Sequence, residues 1–260
     1  MKKIYFLCDA HLGSWAISDV RKQEMRVVRF LDGIKEDAGA VYMLGDMFDF
    51  WHEYRYVVPK GSTRLLGKIS ELTDRGIEVH FFTGNHDLWC GNYLEKECGV
   101  MLHREMLQVQ LGEKIFCMAH GDGLDESEKR YLFLRNVFHN KICQKLFAAV
   151  HPRWGMCFGL AWARHSRMKH EKVEGFFEGV EKDGIYRFSR QMLEKQPEID
   201  YFIYGHRHVD VDLMMNDKTR FIILGDWVTK FTYGVFDGTT LEIKHFQDKK
   251  FNVTNLYQVQ

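Results

Sequence analysis

Proline is scarce in this chain. The three present (Pro59, Pro152 and Pro197) fall in breaks between patterned segments, and no low-complexity linker or internal repeat divides the 260 residues. No apolar run approaches the ~20 residues of a membrane-spanning helix, which argues against an integral membrane protein. Only the five residues Ile4 to Cys8 separate Lys3 from Asp9, short of the roughly 7–15 of a secretory core. That segment is therefore expected to be the first strand of a cytosolic protein. The six cysteines (Cys8, Cys90, Cys98, Cys117, Cys143, Cys157) contain no Cys-x-x-Cys pair. They read as small buried apolar residues in a reducing compartment in preference to disulfides or thiolate zinc ligands. Neither sign of charge prevails: Lys+Arg and Asp+Glu are 36 each, so bulk charge points to no partner.

What the chain does have is apolar material, 45% with 14% aromatic, enough for one large domain or one domain carrying an insertion. Short apolar runs alternate with helical spacing. Ile4–Cys8, Val41–Leu44, Val79–Thr83, Lys114–Met118, Tyr201–Tyr204 and Phe221–Leu224 read as strands. Val20, Glu24, Val27, Val28, Leu31 and Ile34 lie near helical spacing, with Gly39 as the expected stop. Ser62 is the expected cap of a second helix that ends before Gly76. Asp237-Gly238 marks a hairpin between Tyr233 and Phe246. The pattern predicts an α/β (α+β) domain of mixed sheets covered by helices. Residues 1–260 form that single domain, and 124–195, mostly helical in pattern, interrupts the strand series as a cap.

Just past the predicted strands stand Asp9, His11, Asp46, Asn85, His86, His120, His206 and His208. The carboxyl ends of strands are where α/β sheets place ligand sites. Carboxylate, amide and imidazole donors without thiolate suit Mn²⁺, Fe²⁺ or Zn²⁺ better than Ca²⁺. The set is too large for one ion and suits two that share a bridging carboxylate. Other polar residues have ordinary explanations: His52, His80, His103 and His245 as satisfied polar groups, Asp49 and Asp226 as turn residues.

The order Asp9-Ala10-His11, Gly45-Asp46, Gly84-Asn85-His86-Asp87, His120-Gly121-Asp122, Gly205-His206-Arg207-His208 resembles the calcineurin-like metallophosphoesterases over roughly 1–122 and 200–240. The resemblance implies a four-layer αββα sandwich. It assigns Asp9, His11 and His208 to a first metal, Asn85, His120 and His206 to a second, and Asp46 as the bridge, with Mn²⁺ the expected ion. His86 would sit against the phosphate, and Asp87 would orient His86 through its other ring nitrogen.

From Lys129 to Lys172 there are ten Lys and Arg residues and one acid, Glu171. Phe133, Leu134, Val137, Phe138, Ile142, Leu146, Phe147 and Val150 recur near i, i+3/i+4 spacing, and Trp154 to Trp162 adds further large apolar groups. A helix over 129–150 packing on the core would explain the first half. The aromatic second half favours an anionic amphiphile or membrane surface.

A narrower resemblance, to UDP-2,3-diacylglucosamine pyrophosphatases of lipid A biosynthesis, rests on three features. These are Asp9-Ala10-His11-Leu12-Gly13, Gly45-Asp46-Met47-Phe48-Asp49-Phe50-Trp51, and the insertion with Tyr131, Arg135 and Arg164-His165-Ser166-Arg167. It implies water attack on the α-phosphorus of the lipid nucleotide, giving UMP and 2,3-diacylglucosamine 1-phosphate, with the acyl chains under the cap. Glu128, Tyr131, Arg135, Arg164, Ser166, Arg167 and Lys169 become the expected substrate contacts. The best-known branch carries Arg where this chain has His86, and Asp where it has Glu128. The implied setting is the inner face of the inner membrane, with no nucleic acid partner. Rival readings are a general phosphomonoesterase or phosphodiesterase, a nuclease, and a non-catalytic scaffold.

Overall fold

The computed structural model describes residues 2–248, except Glu126, Glu128 and residues 174–178; of 166–173 it describes the backbone only. Two sheets face each other. The first runs β11 (Leu241–His245), β10 (Thr232–Phe236), β1 (Lys3–Leu7), β2 (Ala38–Met43), β3 (Glu78–Phe82), β4 (Met101–His103). The second runs β5 (Leu107–Leu111), β6 (Lys114–Met118), β7 (Tyr201–Tyr204), β9 (Arg220–Ile223), β8 (Val211–Met214). The chain enters sheet one through parallel β1–β2–β3–β4 and closes its other edge with the antiparallel β10–β11 hairpin. Sheet two mixes parallel β6–β7–β9 with antiparallel edges.

Side-chain alternation along each strand produces the layers. On β1, Tyr5 and Leu7 turn outward to join Val27, Phe30 and Leu31 of α1 (Val20–Ile34) and Leu65, Ile69 and Leu72 of α2 (Thr63–Asp74). Phe6 turns inward and packs with Tyr42, Phe82, Phe116, Met118 and Phe236 between the sheets. On the far side, Ile185, Tyr186 and Met192 of α7 (Gly184–Lys195) cover Phe202, Tyr204 and Phe221. The result is the expected αββα sandwich.

Several local readings differ from the structure. Gly39 lies inside β2, because α1 already ends at Ile34. Ser62 occupies the N-cap position of α2 but makes no side-chain capping bond. Glu24 of α1 does that work, accepting from the Arg64 and Leu65 amides at 2.6 and 3.2 Å. The single helix expected over 129–150 breaks into α4 (Lys129–His139) and α5 (Lys141–Ala148), because Asn140 turns extended and caps α5 through the Ile142 and Cys143 amides. α7 falls within the expected insertion 124–195 yet belongs to the sandwich, so the helices lying outside the layers are α4, α5 and α6 (Pro152–Val173). Between β3 and β4 lies the short α3 (Tyr93–Cys98).

Candidate metal centre

Five loops leave the carboxyl ends of β1, β2, β3, β6 and β7 on one side of the sandwich and bring Asp9, His11, Asp46, His86, His120 and His208 together. Asp9 Oδ1 stands 3.3 Å from His208 Nε2 and 3.6 Å from His11 Nε2. The two imidazole Nε2 atoms are 3.1 Å apart. Asp46 Oδ2 lies 3.8 Å from His11 Nε2 and 3.3 Å from His120 Nε2, between the two groups. Asn85 Oδ1 is 3.2 Å from His120 Nε2. His206 is set on its neighbour's flank: its ring centroid is 5.1 Å from that of His120, and its amide donates to Asp9 Oδ2 at 3.0 Å.

The backbone here is strained. Asp9, His11, Asp46, His206 and His208 all have positive φ, from 44° to 70°, and only Ser62 and Phe231 join them among the described non-glycine residues. Left-handed backbone costs such residues about 1–3 kcal/mol each and clusters at functional sites. Gly84 gives the β3 loop its close approach: a Cβ there would lie 2.2 Å from Asp46 Oδ1.

The charges are arranged for a cation. Burial disfavours ionisation of Asp9, yet His208 and His11 hold its carboxyl well below the ordinary range. Against the same burial, His120, His86 and His11 hold Asp46 down. Burial would also neutralise His120, but Asp46 and Asp9 raise it well above the usual imidazole value. His206 goes the other way, lowered by burial, His120 and Arg207. Asp9 Oδ1, fully buried, accepts no hydrogen bond from the protein. A buried carboxylate oxygen without a donor, ringed by imidazole nitrogens, fits a divalent ion. Three sets of donor atoms, Asp9/His11/His208, His11/Asp46/His86 and Asp9/Asp46/His120, each lie within 4.8 Å of one another.

Second contacts fix the tautomers. His120 Nδ1 donates to the Leu44 carbonyl and His86 Nδ1 to the Asp49 carbonyl, each at 2.8 Å, so both Nε2 atoms face away from these anchors. The role expected for Asp87 is corrected here. Its carboxylate accepts the amides of Gly84, Asp46, Met47 and Phe48 at 2.7, 3.3, 2.8 and 3.3 Å, and the Asp49 carbonyl, not Asp87, orients His86. Burial and the Asp46 charge push its pKa up to about 7, opposed by the Gly84 and Phe48 amides. Asp226 is a turn residue as read, accepting the Val228 and Lys230 amides, and also stands 3.9 Å from His208 Nδ1. His52 is not a satisfied polar group: both ring nitrogens are buried without hydrogen-bond partners among Tyr54, Trp89 and Phe147.

The expected substrate contacts separate. Tyr131 and Arg135 both meet Asp122. The Arg164 guanidinium lies 4.6 Å over the Trp15 ring, on the loop that carries His11. The side chains of Ser166, Arg167 and Lys169, and all of Glu128, lie outside the described residues. Between the cap and the β2 and β3 loops lies a half-open, mainly apolar pocket. Its polar lining is Asp49, Asn85 and His86; the rest is apolar, including Phe50, Trp89, Phe138, Phe147, Phe158 and Trp162.

Residues 3–210 match the model of the calcineurin-like phosphoesterases. The chain belongs to that family. It is 44% identical, over 95% of its length and 98% of the relative's, to UDP-2,3-diacylglucosamine hydrolase of Porphyromonas gingivalis. Proteins of the same name from Neisseria gonorrhoeae and Haemophilus influenzae are 30% and 26% identical over 87% of this chain and 90% and 91% of theirs.

Proposed function

We propose that the protein is a two-metal hydrolase of UDP-2,3-diacylglucosamine, cleaving its diphosphate by water attack on the α-phosphorus to release UMP and 2,3-diacylglucosamine 1-phosphate. The observation that carries this reading is the mainly apolar pocket whose polar lining is Asp49, Asn85 and His86, because it opens beside the ligand cluster where acyl chains would lie. The likeness to the Porphyromonas gingivalis hydrolase supports it.

Asp9, His11 and His208 would hold one ion, Asn85, His120 and His206 the other, and Asp46 both; the ion proposed is Mn²⁺, one of the three this donor set suits. Bound there, the pair supplies hydroxide near neutral pH and neutralises charge on the phosphoryl oxygens. The Asp49 carbonyl accepts the His86 Nδ1 proton, so as a charge stabiliser His86 would be an imidazolium that donates to the phosphate through Nε2. The leaving phosphate monoester has a second pKa of about 6 and departs without much help from an acid, so His86 serves mainly as a charge stabiliser. Arg164, at the rim beside Trp15, and Ser166, Arg167 and Lys169 beyond it on α6, are assigned to the diphosphate and sugar.

The helices α4–α6 act as the cap of a single domain. They expose Phe133, Ile142, Leu146 and Trp154 at 65% or more, among the lysines and arginines counted above. Such a face suits the anionic inner surface of the inner membrane, where the enzyme would sit peripherally. No helix among the described residues is long and apolar enough to cross a membrane.

The test is turnover with Mn²⁺ of UDP-diacylglucosamine, UDP-glucosamine without acyl chains, and an aryl phosphate. The lipid nucleotide should be preferred by orders of magnitude in kcat/KM. Equal rates with and without acyl chains would refute the lipid assignment and favour a general phosphoesterase.

A further inference from the structure

The α4 helix of the cap meets the His120 loop through one carboxylate. Asp122 ends the His120-Gly121-Asp122 turn, and its Oδ2 accepts two bonds from α4: the Tyr131 hydroxyl at 3.0 Å and Arg135 Nε at 3.1 Å. The Asp122 side chain is only 11% exposed, so neither bond competes freely with water. Burial and the Asp122 charge raise the Tyr131 phenol, which therefore stays a donor at any ordinary pH. None of the residues of α4 is fully buried; besides these bonds, its Phe138 carbonyl accepts from Trp89 Nε1, on the β3 loop, at 2.9 Å.

The turn leading to Asp122 has little slack. Gly121 has φ +119°, and a Cβ there would stand 3.0 Å from Ile185 Cδ1 and 3.4 Å from His206 Cβ. The His120 carbonyl accepts the Gly205 amide at 2.9 Å, and the Tyr131 ring is 6.5 Å from that of His206. A displacement of Asp122 is thus passed to His120 and His206 together. Asp9 and His11 stand on a different loop, after β1, although His208 shares the loop of His206 and the His206 amide donates to Asp9 Oδ2 at 3.0 Å.

We infer that Asp122, Tyr131 and Arg135 are positioning residues through which the seating of α4 and the affinity of the second ion form one equilibrium. The inference rests on the two-ion reading and goes beyond it. Binding linkage is reciprocal: an ion held by Asn85, His120 and His206 tightens α4 on the sandwich by the factor with which a seated α4 tightens the ion. Conversely, whatever lifts α4 loosens that ion.

Mn²⁺ titration by calorimetry and electron paramagnetic resonance, with hydrogen exchange over 129–139, tests this without turnover. The proteins are wild type, Tyr131→Phe, Arg135→Ala and Arg135→Lys. Wild type should take two ions, give an exchange-coupled spectrum, and slow exchange in α4 as the second ion binds. Tyr131→Phe and Arg135→Ala should weaken the second ion by about fivefold or more and the first by clearly less. Arg135→Lys should recover part of that loss, and in Arg135→Ala the ion should no longer protect α4. Unchanged second-ion affinity in both Tyr131→Phe and Arg135→Ala, or equal loss at both sites, overturns the coupling. A wild type that binds fewer than two ions removes the two-ion reading itself, a separate and recognisable failure.

Discussion

Asp87→Asn separates two roles for a residue that sits between the chemistry and the scaffold. Oδ1 accepts from Gly84 and Asp46, and Oδ2 from Met47 and Phe48. An asparagine can keep one oxygen for the first pair. Its amide group must then point two hydrogens at the Met47 and Phe48 amides, leaving two buried donors unpaired. Each such group costs about 1–3 kcal/mol. Part is returned, because the charge removed is one that burial and Asp46 already disfavour. A net loss of about 2 kcal/mol follows, which in a domain of this size lowers Tm by roughly 4–8 °C. The measurement is thermal unfolding by circular dichroism in excess chelator, so that bound ions cannot mask the change. Asp87→Ala, which strips all four donors, should fall about twice as far. Were Asp87 instead the group that orients His86, Asp87→Asn would keep its Tm within about 1 °C and lose turnover alone. That pattern would refute the assignment of Asp87 as a backbone anchor.

Other perturbations have equally definite outcomes. His86→Arg should retain much of the activity on the lipid nucleotide while His86→Ala loses most of it; near-total loss in a folded Arg variant argues against charge stabilisation. Shortening the substrate's acyl chains by two methylenes should cost about 1.6 kcal/mol, roughly 15-fold in kcat/KM, if they fill the pocket. Ala163, 4% exposed in the pocket wall, should flatten that dependence when replaced by Phe, and an unaltered chain-length profile would place the acyl groups elsewhere. Tyr54→Phe removes a buried hydroxyl that has no hydrogen-bond partner and should raise Tm by about 2–4 °C; a fall would mean the hydroxyl is bonded in solution.

The parts of this molecule legible in its sequence are those that repeat with a period or follow a fixed order. Strand cores such as Tyr201–Tyr204 and the train of ligand residues after successive strands could be read because burial on both faces demands unbroken apolar runs. The lining of the apolar pocket could not, although the resemblance placed the acyl chains under the cap. Its walls come from the loops around Phe50 and Trp89 and from α4 to α6, and the sequence showed only that the cap was richer in apolar groups than a solvated helix requires. Asp122 stood inside a recognised motif with no role attached, because its partners Tyr131 and Arg135 were themselves being read as substrate contacts.

The backbone of the metal centre was hidden for a different reason. At Asp9, His11, Asp46, His206 and His208 the chain takes a conformation that usually selects glycine, and no glycine stands there. Glycine would relieve the strain but offers no side-chain donor atom. Asp and His tolerate left-handed backbone better than β-branched or bulky residues do, so they satisfy both demands at a cost of about 1–3 kcal/mol each. Five such residues together oppose folding by an amount comparable with the whole net stability of an ordinary domain. The buried layers on both sides of the sheets must offset it, and any ion that binds these side chains stabilises the conformation that the backbone alone resists.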